Sequence, residues 1–267
     1  MELNRYFNFK RFFRLFRQDI LLNYKTYGYY IAGIAIALLF VLMFGILVNR
    51  SFNFNHYLPI FIFFMLIAGV VGVTTAFPLT KTQTGMSSFL LQPASHFEKF
   101  MVQFIVRIVI LFPFLIIIFW IDAHLAKSIL TIFEVERALN AELFNYTDMI
   151  NYIFKNVKDN GELIPVILLS VFSIVSFAFA GSVYFNRYKM FKTLIAFGLL
   201  VFVTIVFAVV LSHIFYPSRV QGFELEMNTY KIFWDLYNTQ FYFYVVGVLS
   251  SLFLLPFAFY KLKEKEV

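Results

Sequence analysis

The sequence contains no cysteine and few charged residues. Without cysteine, the chain can form neither a disulfide framework nor a cysteine-based metal or redox site. Only 14% of its 267 residues are charged, whereas soluble domains average about 25%. The remaining composition is 61% hydrophobic, which is more apolar surface than a soluble fold of this length can hide. We therefore expect a membrane protein.

Several motifs that would carry chemistry are also missing. The sequence has no GxxxxGK[ST] phosphate loop, so the chain cannot hydrolyse ATP by that mechanism. It has no HExxH motif, no serine in a GxSG context and no pair of acids inside an apolar block, which metalloproteases, rhomboid-like proteases and carboxylate relays would need. We expect no catalytic residue, no metal ligand and no cofactor in this chain, and we do not expect an enzyme.

The hydrophobic residues come in six blocks of the length that crosses a hydrocarbon core about 30 Å thick. Spanning segments must satisfy their own backbone hydrogen bonds, and no alternating strand pattern suggests a barrel. We therefore predict an all-α membrane protein that forms one membrane domain over residues 1–267. Its six transmembrane helices are expected at residues 29–48, 57–77, 101–121, 163–184, 193–216 and 241–260.

The distribution of lysine and arginine predicts the orientation. With the N-terminus inside, the cytoplasmic segments hold 14 of these residues and the outer segments hold 7. This bias follows the positive-inside rule, so both termini are predicted to be cytoplasmic. The net charge of +7 then fits a cytoplasmic surface that is attracted to anionic lipid. It requires no nucleic-acid partner, and we expect none.

Residues 1–28 have the pattern of an interfacial helix. Aromatic and aliphatic residues recur at steps of three and four, and basic residues fall largely on the other face. We predict an amphipathic elbow helix at the membrane surface; a generic basic anchor that only fixes topology is the alternative. The residues that define this elbow are Phe9, Phe13, Phe16, Arg11, Arg14 and Arg17.

The predicted cytoplasmic connection, residues 78–100, is too long for a simple turn. Pro93 should end a first short helix, and Ser95 with Glu98 has the spacing of a capping box that opens a second helix into the third span. Apolar residues on such a helix–break–helix form a docking shape. The alternative is a connector whose apolar side chains lie against the bilayer.

The plan of elbow, six spans and structured connection resembles a permease subunit of ATP-binding cassette transporters of the ABC-2 type. The stretch LQPASHFEK at residues 91–99 is also similar to an "LPAS..EK" segment of bacterial permeases, although Gln92 separates its leucine from its proline. The large outer segment after the third span departs from the family pattern.

The resemblance implies a transporter subunit in the bacterial inner membrane that pairs with a second, identical or different, permease subunit. A separate ATPase subunit, which binds ATP and Mg²⁺, would dock on the connection. The resemblance leaves the substrate and the direction of transport open. The implied docking residues are Met86, Phe89, Leu90, Leu91, Pro93, Glu98 and Lys99.

The predicted outer segment, residues 122–162, carries apolar residues at alternating steps of four and three. The pattern indicates one long or two short amphipathic helices. This seam could pair with another chain, fold over the external mouth or rest on the outer leaflet. An alternative function follows from the first possibility, namely a scaffold or binding protein that does not transport. The seam runs from Leu125 through Ile132, Leu139 and Leu143 to Val157.

Two intramembrane features complete the sequence reading. Small residues form a ridge at Ala68, Gly69, Gly72 and Ala76, and serines line the fourth span; both patterns favour close helix packing over a substrate path. Arg107 lies within the third span, where it either extends to the inner headgroups, which we favour, or faces a polar cavity.

Overall fold

The computed structural model describes residues 7–49, 52–78, 91–149, 151, 163–215, 220–221, 224–225, 231–233 and 236–264; side chains are described outside 163–168, 208, 211–244 and 246. The chain divides into two compact units, Met1–Asp159 and Asn160–Val267. The boundary between the two units falls in the polar sequence KDNG at 158–161, and the single membrane domain over residues 1–267 stays a prediction.

The first unit is built from three long helical segments. They are α1 (Phe9–Val48), α2 (Phe54–Thr74) and the run formed by α3 (His96–Phe104), a π-helical turn (Ile105–Ile110) and α4 (Leu111–Ile132). A short helix, α5 (Glu136–Leu139), and a helical turn at 146–149 follow. The core lies between α1, α2 and α4, and its fully covered side chains include Leu42, Ile46, Leu115 and Phe119.

The second unit contains three helices, α6 (Leu163–Tyr184), α7 (Lys189–Phe215) and α8 (Asn238–Glu264). Between α7 and α8 lie two short antiparallel ladders. Strand β1 (Val220–Gln221) pairs with β2 (Glu224–Leu225), and β3 (Lys231–Phe233) pairs with β4 (Leu236–Tyr237). These strands of two or three residues were not predicted, but all longer elements in the described part of the chain are helical.

Helices occupy nearly all of the residues of the six predicted spans. Among the described residues, four stretches are long and apolar enough to cross a membrane: Phe9–Val48, Phe54–Thr74, His96–Ile132 and Lys189–Phe207. A shorter apolar helix covers Leu169–Tyr184. The protein is therefore an α-helical integral membrane protein, and the count of six spans stays a prediction.

The predicted elbow and the first span are not separate elements. They form one unbroken helix of 40 residues, capped at its start by Asn8, whose side chain accepts hydrogen bonds from the amides of Lys10 and Arg11. The sequence from Phe9 to Val48 contains no proline, and a single glycine costs only about 1 kcal/mol within a helix. At 1.5 Å per residue the helix is about 60 Å long, roughly twice the hydrocarbon thickness.

Small residues allow close contact between helices, as the sequence indicated. A methyl group added at Gly72 of α2 would lie 2.5 Å from Leu111 Cδ2 and 2.7 Å from the hydroxyl of Tyr30. In the second unit, a methyl group at Gly181 of α6 would lie 2.4 Å from Thr193 Oγ1 of α7. The hydroxyls of Ser173 and Ser250 lie 2.5 Å apart where α6 packs on α8. The packing interpretation of both small-residue patterns agrees with this geometry.

Candidate functional site: polar junctions at the α2–α3 connection

A buried carboxylate joins the beginning of α3 to the beginning of α1. Glu98 is fully covered, and it accepts hydrogen bonds from Arg11 Nε at 2.6 Å and Arg11 Nη2 at 2.9 Å. The backbone amides of Asn8 and Ser95 donate to the same carboxylate at 2.7 and 3.0 Å. We call the four residues Asn8, Arg11, Ser95 and Glu98 the Glu98 junction. Four donors on one carboxylate compensate for the loss of its hydration.

The Glu98 junction confirms the predicted capping box. The Ser95 hydroxyl accepts from the amide of Glu98 at 3.2 Å while the Glu98 carboxylate accepts from the amide of Ser95. The box therefore begins α3 and also turns the carboxylate toward Arg11. Asn8 caps α1 with its side chain and donates its backbone amide to Glu98. Two helix N-termini thus share one anionic group, which favours both of their dipoles.

A second set of polar side chains lies further along the same helices. Asp19 of α1 accepts hydrogen bonds from Tyr27 at 2.6 Å and from Gln103 at 2.8 Å. Arg107 of the π-helical turn donates to the Thr75 hydroxyl at 2.7 Å and to the Thr75 carbonyl at 3.1 Å. Its guanidinium lies 4.6 Å from the centre of the Tyr27 ring. We call these residues, Asp19, Tyr27, Thr75, Gln103 and Arg107, the Arg107 network.

The Arg107 network overturns the favoured prediction for Arg107. The residue is 5% exposed and binds protein groups, so it does not extend to headgroups. It caps the C-terminal end of α2, where a cation interacts favourably with the helix dipole. Its Nε atom is buried and has no hydrogen-bond partner among the described residues.

The network also fixes the chain where α2 gives way to the connection. Phe77 adopts a left-handed backbone conformation with φ of 54°, which is unfavourable for a residue with a side chain. Its amide donates to Gln103 Oε1 at 3.2 Å, and its ring is 1% exposed. Gln103 and Arg107, which follow the connection in the chain, therefore hold Thr75 and Phe77 just beyond the end of α2.

A cavity of about 30 Å³ lies beside the Arg107 network. Asp19 and Gln103 line it together with Lys99, which is 3% exposed. A volume of this size admits water-sized molecules only. Among the described residues, no group of three histidine, aspartate or glutamate side chains could hold a metal ion.

The four predicted docking residues that the structure describes separate into two groups. Leu91 is 82% exposed and Pro93 is exposed, so both are available to a partner. Glu98 and Lys99 are buried in their own chain, so from this position they cannot form a docking surface; the helical phase of α3 turns them inward. Met86, Phe89 and Leu90 lie outside the described residues.

The predicted elbow residues are also divided by helical phase. Phe9 and Phe13 are 69% and 58% exposed, and Arg14 and Arg17 are exposed as well. Phe16 and Arg11, in contrast, face the rest of the chain and are partly covered. Arg11 pairs with the buried Glu98, a contact that the spacing within residues 1–28 does not reveal.

At the opposite end of the first unit, the segment after α4 folds back over the turn between α1 and α2. Glu142 donates its amide to the Phe52 carbonyl at 2.9 Å and accepts from the amide of Phe54 at 3.2 Å. Burial raises the pKa of Tyr146 to about 12, so its hydroxyl stays protonated and donates to the Ile116 carbonyl at 2.6 Å.

An aromatic cluster fills the space under this segment. The rings of Phe52 and Tyr57 lie 4.6 Å apart, and the ring of Phe144 lies 5.3 Å from Tyr57 and 5.1 Å from Phe119. Edge-to-face contacts of this kind stabilise beyond the area that they bury. The core of the segment is thus built by Phe144 and small residues, which were not part of the predicted seam.

The predicted seam itself does not form one long helix. The chain leaves α4 at Phe133, and Glu134 has a positive φ of 55°. The seam side chains Ile132, Leu139 and Leu143 are 77%, 61% and 58% exposed. They therefore do not close against their own chain, and the possibilities of a partner or the outer leaflet stay open. Its last positions, Ile150, Ile153 and Val157, lie outside the described residues.

Comparisons with protein-family models, with curated proteins and with solved structures found no match to this chain. The class of protein that fold and composition define is an α-helical integral membrane protein.

Proposed function

We propose that this chain is the membrane-spanning permease subunit of an ABC transporter, with both termini in the cytoplasm and six spans in the bacterial inner membrane. A separate ATPase subunit, carrying ATP and Mg²⁺, would dock on the α2–α3 connection, and a second permease subunit would complete the path. The chain itself would contribute no catalytic group. ATP binding would act by favouring one conformation of the permease through this contact.

The observation that carries the proposal is the Glu98 junction. Ser95 and Glu98 belong to the stretch that resembles the permease segment, and they bind Asn8 and Arg11 at the start of α1. A force on the connection would therefore reach α1 directly. The Arg107 network adds a path to α2 through Thr75. A connection that served only as a spacer between two spans would need neither contact.

The exposure of Leu91 supports the position of the docking surface. Leu91 lies within the connection and is 82% exposed. The neighbouring Pro93 is exposed too. Both belong to the residues for which the family resemblance implies contact with an ATPase, whereas the buried Glu98 and Lys99 would support that surface from beneath.

Co-purification from the native membrane tests the proposal. The solubilised chain should bring with it a protein that carries a Walker phosphate loop, and Leu91→Asp should abolish this association. Phe133→Asp is the matched control, because Phe133 is 74% exposed at the predicted outer end and should leave the ATPase bound. Absence of any such ATPase, or equal behaviour of the two variants, would contradict the proposal.

One observation favours a second candidate function, that of a scaffold that binds another chain through the predicted outer segment. Ile132, Leu139 and Leu143 are apolar and exposed in a part of the chain that is otherwise held by several polar contacts. For a scaffold, Leu139→Asp should release the partner protein, and Leu91→Asp should have no effect.

A further inference from the structure

The helix that follows the connection changes character at the π-helical turn Ile105–Ile110. Before the turn, α3 combines the buried apolar side chains Phe100 and Val102 with polar contacts, since Glu98 binds Arg11 and Gln103 binds Asp19. After the turn, α4 is held by close apolar packing, with Leu115 and Phe119 fully covered. Polar contacts near the end of a helix bundle can be exchanged for other polar partners or water, whereas interdigitated apolar side chains cannot slide without leaving voids.

A π-helical turn contains one residue more than the α-helical turn that it replaces, because its hydrogen bonds run from residue i to i−5 instead of i−4. Such turns are rare and concentrate at functional sites. If the turn became α-helical, the α3 side of the helix would take up its extra residue, and every residue of α3 would shift by one helical position relative to α4. Since each residue of an α-helix turns by about 100° and rises 1.5 Å, α3 would rotate by about 100° relative to α4.

We infer that the turn Ile105–Ile110 is a two-state joint that lets α3 rotate relative to α4, and that three contacts hold it in the π-helical state: Arg107 with Thr75, Gln103 with Asp19 and Glu98 with Arg11. Arg107 lies within the turn, so its two bonds to α2 fix the turn directly. Gln103 lies one residue from the end of α3 and holds the adjoining turn to α1 and to Phe77.

The joint goes beyond the proposed function, because it belongs to this chain whether or not an ATPase binds. It gives the connection a specific movement, namely rotation of α3 about its own axis while α4 stays packed. The positive φ of Phe77 and the buried Nε of Arg107 both lie at this place. They are unfavourable features that a second arrangement of the same residues could relieve.

The absence of cysteine makes the joint testable in the purified chain alone. Val102 of α3 is 1% exposed and Leu115 of α4 is fully covered, so single cysteines at these positions report on the two sides of the joint. In the otherwise native chain, reconstituted in phosphatidylcholine–phosphatidylglycerol vesicles, both cysteines should react slowly with a small charged methanethiosulfonate. In the unlocked variant Glu98→Gln/Gln103→Leu/Arg107→Met, which lacks all three contacts, the cysteine at 102 should react at least tenfold faster and the cysteine at 115 should not change.

Deletion of the extra residue is the second part of the labelling experiment, and it tests whether the π-helical turn itself permits the rotation. Val109 is 52% exposed within the turn, so its deletion should give a regular α-helix that keeps both halves in their present phases. Added to the unlocked variant, this deletion should return the cysteine at 102 to slow labelling, because the second state no longer exists. The inference is overturned if position 102 stays protected in the unlocked variant, if position 115 is labelled equally fast, or if the deletion restores nothing. None of these results depends on an ATPase, so the proposed function is tested separately.

Discussion

Replacement of Glu98 by glutamine is the most direct perturbation of the Glu98 junction. The carboxylate accepts four hydrogen bonds, two of them from Arg11. Glutamine has one acceptor oxygen, and its NH₂ group would face donors. Hydrogen bonds to charged groups contribute about 1.5–3 kcal/mol each, but the Arg11 side chain is 34% exposed and can return to solvent. We therefore expect a loss of roughly 2–3 kcal/mol in the free energy of unfolding.

The measurement is reversible unfolding of the reconstituted chain in mixed micelles. A double-mutant cycle with Arg11→Met separates the ion pair from the other contacts of Glu98, and its coupling energy should be about 1–2 kcal/mol. Glu136→Gln is the matched control, since Glu136 is exposed at the start of α5 and its replacement should cost no more than about 0.5 kcal/mol. If Glu98→Gln costs no more than this control, the junction does not hold the connection to α1.

Two further predictions concern packing, and both use the same unfolding measurement. Gly72→Ala should lower the free energy of unfolding by about 1–3 kcal/mol, because the new methyl group would lie 2.5 Å from Leu111. Gly33→Ala is the control: nothing lies within 4 Å of the new methyl group, so the change should be neutral or slightly stabilising. Equal effects of the two substitutions would contradict the close approach of α2 and α4. Phe119→Ala should cost about 3–5 kcal/mol, since its ring is fully covered, and Phe114→Ala, at a residue that is 49% exposed, should cost much less. A small effect at Phe119 would show that the aromatic cluster is loosely packed.

Hydropathy and spacing predicted the helical membrane fold and most helix positions, because apolar blocks and caps are local properties. The capping box at Ser95 and Glu98 follows from the spacing of two residues, and the structure confirms it. Small residues predicted close packing for the same reason, since the absence of a side chain at Gly72 permits approach whatever the neighbour is.

The candidate site could be predicted only in part, because its contacts join residues far apart in the chain. The sequence analysis did not single out Asp19, yet it binds Gln103, 84 positions away. A sequence signal did exist, since an acid followed by Asn23 and Tyr27 at steps of four places three polar groups on one helical face. The basic residues in the same segment favoured an amphipathic interpretation, so this polar face was not recognised. The π-helical turn has no sequence signal that we recognise.

The spacing of the polar groups on α1 explains how only three of them can fix the register between α1 and the helix that follows the connection. Arg11, Asp19 and Tyr27 recur every eight residues and meet Glu98, Gln103 and Arg107 in the same order along the neighbouring helix. Apolar contacts between membrane helices fix their register weakly, because lipid is as apolar as the helices themselves. A slip by one turn would leave a carboxylate or a guanidinium without its partner, at a cost of several kcal/mol. The three pairs therefore fix the position of α3 and of the π-helical turn against α1, and any rotation of α3 must break these pairs first.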